Sequence, residues 1–226
     1  MRPSVSVVIP ALNEAESIGT VVRSMPWDLI AECIVVDNGS TDATAETARA
    51  AGARVVSSPR GYGAACAAGA RAATATSDVL VFLDGDGSDD VSAMQRLVEP
   101  IERGEADFVI GSRMRGKAEP GALNAAQVFA AKMIGSLVKL LYGFRYTDMG
   151  PFRAIRRECL EAMQMCEMTY GWNLEMQIKA LKMKLRVVEI PVDYRCRIGG
   201  ESKVSGNAWA SLKAGVRILG VLARVR

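Results

Sequence analysis

Apolar residues in the first ninety positions come in short, nearly unbroken runs. "VSVVIP" (Val5–Pro10), "ECIVVD" (Glu32–Asp37), "RVVSS" and "DVLVFLD" each have strand length and are rich in β-branched residues. Between these runs the apolar positions recur every three or four residues. In "EAESIGTVVRSM", Ile18, Val21, Val22 and Met25 share one helical face. "NGSTDATAETARAAG" offers Ser40, Thr41 or Asp42 as an N-cap and Gly52 as a C-cap. A Gly- and Ala-rich helix is expected from about Gly63. Strands that are apolar on both sides and alternate with helices predict an α/β fold, a mostly parallel sheet with helices on both faces.

The second half is less regular. "ADFVIGSRM" predicts a strand ending at Arg113, and "RYTDMGPFRAIRRECLEAM" leads into a helix. "NLEMQIKALKM" has helical spacing, and "LRVVEIPVDYRCR" predicts a strand interrupted by Pro191. Two further helices are amphipathic. Over Asn124–Leu141, Lys132, Ser136 and Lys139 make a narrow polar face beside Phe129, Met133, Ile134, Leu137, Val138, Leu140 and Leu141. The C-terminal segment sets Trp209, Leu212, Val216 and Leu219 beside Lys213, Arg217, Arg224 and Arg226. Helices of this kind either lie in a bilayer interface or pack on the core or in a homodimer. With no repeat, linker or composition break, one domain is expected over 1–226.

Composition narrows the chemistry. Half of the 226 residues are hydrophobic and the net charge is only +3, too little to imply nucleic-acid binding. The five cysteines form no C-x-x-C pair, which predicts reduced cytosolic thiols. Histidine is absent, so Ser-His and Cys-His dyads and imidazole metal sites are excluded. A metal would be held by oxygen, favouring Mg2+ or Mn2+. "MRPSVSVVIPALNE" lacks a long apolar leader region, and no run reaches about 18 uninterrupted apolar residues, so neither a signal peptide nor a transmembrane helix is expected.

Ligands of parallel sheets gather at the carboxyl ends of the strands. Pro10–Glu14, Asp37–Ser40 and Asp84–Asp86 each fall just past such an end, so one rim should collect all three turns. "FLDGDGSDD" is the most telling of them. Adjacent carboxylates repel, and a strand gains nothing in stability by ending on them. They make either a well-solvated turn or a seat for a divalent cation, with Gly85 letting the backbone approach a ligand. Asp89 and Asp90 are expected to cap the helix that begins near Val91, and Asn13 is a candidate cap for the first helix. Asp37 is a candidate acceptor for a nucleotide base or ribose. "YRCRIGGESK" concentrates Arg195, Arg197 and Lys203 around two glycines, either a solvated basic loop or a mobile phosphate-binding lid.

The ordered set "VVIPALNEAESI", "IVVDNGSTDAT", "FLDGDGSDD", "GSR", "DMGPFRAIRREC" and "RIGGESKVSG" resembles the inverting glycosyltransferases of family 2, which have the GT-A fold. Within them it is most similar to the dolichol-phosphate (polyprenyl-phosphate) mannosyltransferase and glucosyltransferase group. The resemblance runs from about Val5 to beyond Gly206. It implies a nucleotide-sugar-binding half over 1–115 and an acceptor half over 116–226. Pro10, Ala11, Leu12, Glu14 and Asp37 would line the base and ribose pocket. Asp84, Gly85 and Asp86 would hold the metal and the sugar diphosphate, with Arg113 near the diphosphate or the acceptor phosphate. Arg197, Ser202 and Lys203 would close over phosphates. Asp148 matches the family aspartate before "GFRA", written here "GPFRA". A hexose would pass from a nucleotide-sugar of the GDP-mannose or UDP-glucose type to a polyprenyl phosphate, at the cytoplasmic face of a membrane and without a general base. A sugar-hydroxyl acceptor would need one, from Asp148 or Glu175. The chain departs from the pattern at Asn38, where relatives have a second aspartate, at Gly87-Ser88 after D-x-D, and at Leu12, where several mannosyltransferases have tyrosine. A nucleotidyltransferase is less consistent, because "PALNEAES" replaces the glycine-rich basic loop that should follow the first strand. A non-catalytic nucleotide-binding subunit would have no chemical need for Asp84 and Asp86.

Overall fold

The computed structural model describes residues 2–199 and, beyond them, Gly220 alone. The expected alternation is realised. Strands β1 (Val5–Ala11), β2 (Glu32–Asp37), β3 (Arg54–Ser57) and β4 (Val79–Phe82) alternate with helices α1 (Ile18–Arg23), α2 (Thr44–Ala50) and α3 (Tyr62–Ala72). The chain continues through α4 (Met94–Glu102), β5 (Phe108–Ser112), α5 (Ala125–Tyr142), β6 (Arg153–Arg156), α6 (Arg157–Met163), α7 (Trp172–Lys182) and β7 (Val187–Pro191). The seven strands form one sheet in the order β3-β2-β1-β4-β6-β5-β7. All neighbouring pairs are parallel except those of β6, which runs antiparallel between β4 and β5.

Side-chain alternation builds two cores. Val5, Val7 and Ile9 of β1 face α1, α2 and α4, packing with Ile18, Val22, Ala48, Leu97 and Ile101. Val8, with Ile34 and Val36 of β2, faces the other way onto α3, α5, α6 and α7. This two-sided burial explains why the strands are continuously apolar.

Strand β6 departs from the expectation that "RAIR" belongs to a segment leading into a helix. Four residues with an arginine at each end show no alternation to detect; the strand exists because β4 and β5 both pair with it. Two capping expectations also change. Asn13 has φ 51° and does not cap α1; its Oδ1 accepts from Thr41 N–H at 2.8 Å, tying the turn after β1 to the turn after β2. Asp90 does cap, accepting from Ser92 N–H, whereas Asp89 turns inward. None of the three α2 candidates takes the N-cap position, which is Ala43; Asp42, one residue earlier, accepts from Thr44 N–H at 3.0 Å.

Helix α5 carries a capping box, Asn124 with Gln127, and ends on Gly143 in the left-handed region. Its 18 residues have mean hydropathy 1.2, which by length and composition alone is enough to cross a membrane, although lysines interrupt its apolar run. Ala131, Ile134, Gly135 and Val138 are nevertheless buried against the domain. The amphipathic C-terminal segment from Trp209 onward, Ser202 and Lys203 lie outside the described residues.

Candidate active site

The rim at the carboxyl ends of β2, β1 and β4 holds the three turns singled out above. Ala11 of β1 stands opposite Asp37 of β2, and Val8 opposite Phe82 of β4, so the segments that follow these strands emerge side by side. Because β6 is antiparallel, its beginning lies at the same rim, with Arg153 paired opposite Phe82. The turn before β6 therefore brings Asp148 to the site, and the parallel strand β5 delivers Arg113 just past its end.

A cleft opens on this rim. Pro10, Ala11, Leu12, Glu14, Asp84, Gly85, Asp86 and Arg197 line it, joined by Asn38, Tyr62 and Tyr170. A second cleft adjoins it across Asp86 and Arg197, and is walled by Gly121, Asn124 and Gln127 at the start of α5 and by Tyr194, Arg195 and Cys196. Asp37 lines neither; its Oδ1 accepts from Ser40 N–H at 3.0 Å and shapes the turn. Tyr62 sits at the glycine-flanked start of α3, and that glycine pair is its only trace in the sequence. Tyr170 comes from the loop before α7, where nothing in the sequence marks it.

Asn38, the departure from the two-aspartate pattern, has a structural cause. Its amide nitrogen donates to Ser58 Oγ at 2.8 Å and to the carbonyl oxygens of Pro59 at 2.6 Å and Gly61 at 3.2 Å. Its Oδ1 accepts from Gly61 N–H at 2.9 Å. The amide both donates and accepts here, where an ionised carboxylate could only accept, and it holds the loop that leads into Tyr62.

The acidic turn is crowded with negative charge. Burial, then the neighbouring Asp89 and Asp86, raise the Asp84 carboxyl well above the ordinary carboxylate range. Asp89 is pushed up to about 7, chiefly by burial, although its Oδ2 accepts from the Asp84 N–H. Its other oxygen is buried with no hydrogen-bond partner among the described residues. Asp86 accepts from Ser88 N–H at 2.9 Å and lies 3.5 Å from Arg197, which also reaches Glu14 Oε1 at 3.1 Å. The segment carrying Arg197 is stitched onto the turn, Arg195 N–H to Ser88 O at 2.9 Å and Ile198 N–H to Asp86 O at 3.0 Å. Gly87 makes room for it: its φ is +79°, and a Cβ there would strike Ile198. The Gly87-Ser88 departure is therefore tied to this strap.

Among the described residues no cluster of three or more acidic or cysteine side chains is arranged to hold a metal by itself. Two carboxylates with a charge surplus and an adjoining open cleft do fit a hexahydrate-type cation such as Mg2+ or Mn2+ that takes its remaining ligands from water and phosphate. Asp84 and Asp86 would hold it.

Arg113 and Asp148 pair with each other. Nε and a terminal nitrogen of Arg113 each donate at 2.8 Å to Asp148, whose Oδ2 also accepts the Arg113 N–H at 2.9 Å. Burial opposes both charges, but the fork-to-carboxylate bonds more than offset it, holding Asp148 below and Arg113 above their usual ranges. Arg113 also lies over the Tyr194 ring, 4.9 Å from its centre. Glu175 is equally engaged: it accepts from Cys166 N–H at 3.1 Å and Glu167 N–H at 2.7 Å, and pairs with Lys179 at 2.9 Å. Neither acid lines either cleft.

Residues 6–163 match the family model described as glycosyl transferase family 2. An uncharacterized glycosyltransferase of Mycobacterium tuberculosis is 38% identical over 93% of this chain and 94% of its own length. An undecaprenyl-phosphate mannosyltransferase of Micrococcus luteus is 32% identical over 97% of this chain and 95% of its own. Among solved structures, glucosyl-3-phosphoglycerate synthase from M. tuberculosis in complex with phosphoglyceric acid superposes with a TM-score of 0.79 at 24% identity, covering 99% of this chain and 80% of that one. The same enzyme has been solved with Mn2+, UDP-glucose and phosphoglyceric acid, TM-score 0.78 at 23% identity, covering 99% and 79%. At these identities the superposition speaks for the fold, which is GT-A.

Proposed function

The chain belongs to glycosyltransferase family 2, and on that premise we propose that it transfers a hexose from a nucleoside-diphosphate sugar to a phosphate-bearing acceptor, with inversion. The donor would lie along the first cleft, its base toward Leu12, Asn38 and Tyr170 and its diphosphate toward Asp84 and Asp86. A divalent cation there supplies charge neutralisation for the departing nucleoside diphosphate. Arg197 already bridges Glu14 and Asp86, within reach of the same phosphates. The acceptor would enter from the second cleft and attack the anomeric carbon on the face opposite the leaving group. The carbon–oxygen bond to the diphosphate breaks as the new one forms, and the nucleoside diphosphate leaves with the electron pair.

One observation carries the choice of acceptor. Asp148 and Glu175, the two acids that the sequence offers as bases for a hydroxyl acceptor, are spent on Arg113 and on Lys179 with two backbone N–H groups. A phosphate monoester has its second pKa near about 6 and needs no base at neutral pH. Polyprenyl phosphate is the first candidate, and the Micrococcus relative acts on a lipid phosphate. A hydroxyl on a small phosphorylated acid is the second reading, favoured by the solved synthase that shares this fold and is bound to phosphoglyceric acid.

Turnover of UDP-glucose, GDP-mannose and UDP-N-acetylglucosamine, with Mn2+ or Mg2+, against a short-chain polyprenyl phosphate and 3-phosphoglycerate separates the readings. Nucleoside diphosphate release that requires the polyprenyl phosphate is expected. Release that requires phosphoglycerate instead moves the assignment to a hydroxyl acceptor, and absence of turnover with either overturns the phosphate-bearing acceptor.

A further inference from the structure

Helix α5 is apolar on two opposite sides. At about 100° per residue, Ala131, Ile134, Gly135 and Val138 form the stripe buried against the domain. Phe129, Met133 and Leu140 lie on the reverse stripe, and Leu141 falls between the two stripes, on the side away from Lys132 and Lys139. They are 68%, 51%, 80% and 37% exposed, which makes α5 the largest single source of exposed large apolar side chains among the described residues. A helix docked on a domain ordinarily turns polar residues outward. Here the outward stripe is polar only at Ser136, while Lys132 and Lys139 flank it along one side. Ala125–Tyr142 contains no acidic residue, and Arg145 follows it, exposed.

We propose that this outer face of α5 lies on the surface of an anionic phospholipid bilayer. Phe129, Met133 and Leu140 would enter the acyl boundary, and Lys132, Lys139 and Arg145 would meet the headgroups. The charge pattern selects this occupant: an unrelieved positive flank beside an apolar stripe suits a negatively charged lipid surface. The start of α5 also walls the second cleft, through Asn124 and Gln127. The docked helix would therefore place that cleft beside the membrane, where a lipid-linked acceptor carries its phosphate. In this last respect the inference rests on the polyprenyl reading, but the lipid contact itself does not.

The test is flotation of the full chain with vesicles of phosphatidylcholine alone, and with about 30% phosphatidylglycerol, none containing polyprenyl phosphate. Binding to the anionic vesicles is expected. Each flanking lysine contributes roughly fivefold in affinity, so Lys132→Glu/Lys139→Glu should lose roughly 25-fold or more. Phe129→Glu/Leu140→Glu should abolish binding, with an unchanged melting temperature, because both side chains are already exposed. Wild-type protein that stays unbound overturns the proposal. So does binding that these variants leave intact, and so does a dimer in sedimentation that Phe129→Glu/Leu140→Glu dissolves. Melting-temperature shifts with nucleoside diphosphate and Mn2+ report the donor site separately, so loss of the membrane contact and loss of the transferase reading are told apart.

Discussion

Replacing Asn38 by aspartate restores the pattern common among relatives, and the structure predicts that this chain will not tolerate it. Asn38 is 6% exposed and makes four hydrogen bonds with the loop from Ser58 to Gly61, three of them as donor. A carboxylate keeps the acceptor role toward Gly61 N–H and loses every donation. The Pro59 and Gly61 carbonyl oxygens would then face a negative oxygen about 3 Å away. A buried group left unsatisfied costs about 1–3 kcal/mol, and more when charged. Partial relief by water or by protonation brings the sum to about 2–4 kcal/mol. For a chain of this size that is a fall of roughly 4–16 °C in melting temperature. The loop leads into Tyr62, which lines the cleft, so donor KM should rise while kcat changes less. Differential scanning calorimetry of Asn38→Asp, with Asn38→Ser as the donor-retaining control, checks the stability claim. The introduced carboxyl regains one donor when protonated, so the deficit should shrink as pH falls toward about 5. A melting temperature within 2 °C or so of wild type at pH 7.5 would refute the reasoning.

Three other substitutions probe the rim and the opposite end of the sheet. Asp84→Asn should abolish turnover yet leave the free protein as stable as wild type or more so, because an ionised Asp84 is disfavoured by burial and by Asp89 and Asp86; retained activity contradicts the cation seat. Asp148→Asn strands Arg113 in a buried position, with 13% of its side chain exposed, and should cost about 3–5 kcal/mol by urea denaturation. At the opposite edge Asp107 is held at about 2 by Arg186, with Arg156 adding to it. A depressed carboxyl contributes stability in full above its ordinary value near about 4, and loses it as pH falls through the folded value. The urea midpoint should thus decline between pH 4 and 2, and Asp107→Asn should flatten that limb; an unchanged limb would discount the ion pair.

What could be read in advance follows physical range. Strands β1, β2, β4 and β5 were legible because burial on both faces writes itself as unbroken Val and Ile runs. The Asp90 cap and the Gly52 end of α2 were legible because such signals are local. The three polar turns fell on one rim through a rule about parallel sheets and needed no contact information. Strand β6 was hidden because pairing on both sides outweighs its own weak preference. Asp89 reads as a cap from its position before Val91, and only the return of Tyr194 beside it, a bridge between residues far apart in the chain, shows it turned inward. Tyr170 enters the cleft because the loop before α7 is clamped to α3, with Ala64 N–H on Met168 O at 2.9 Å, again a contact no local pattern announces.

The distribution of partners over the acids separates structural from chemical roles more sharply than their positions in motifs. Asp148 and Glu175 stand in recognisable places, yet each is matched by a cation and by backbone N–H groups, and each is nearly inaccessible. Their charges hold Arg113 beside Tyr194 and the loop that presents Tyr170. Asp84, Asp86 and Asp89 are the reverse. Of the three, only Asp86 forms an ion pair among the described residues, with an Arg197 that it divides with Glu14, and one oxygen of Asp89 has no hydrogen-bond partner among those residues. A fold keeps such a surplus only where something else completes it, since unmatched buried charge destabilises the native state. The surplus sits on the rim where the two clefts meet. It is the place where a cation and a diphosphate, arriving together with opposite charges, would leave the site closer to neutral than they found it.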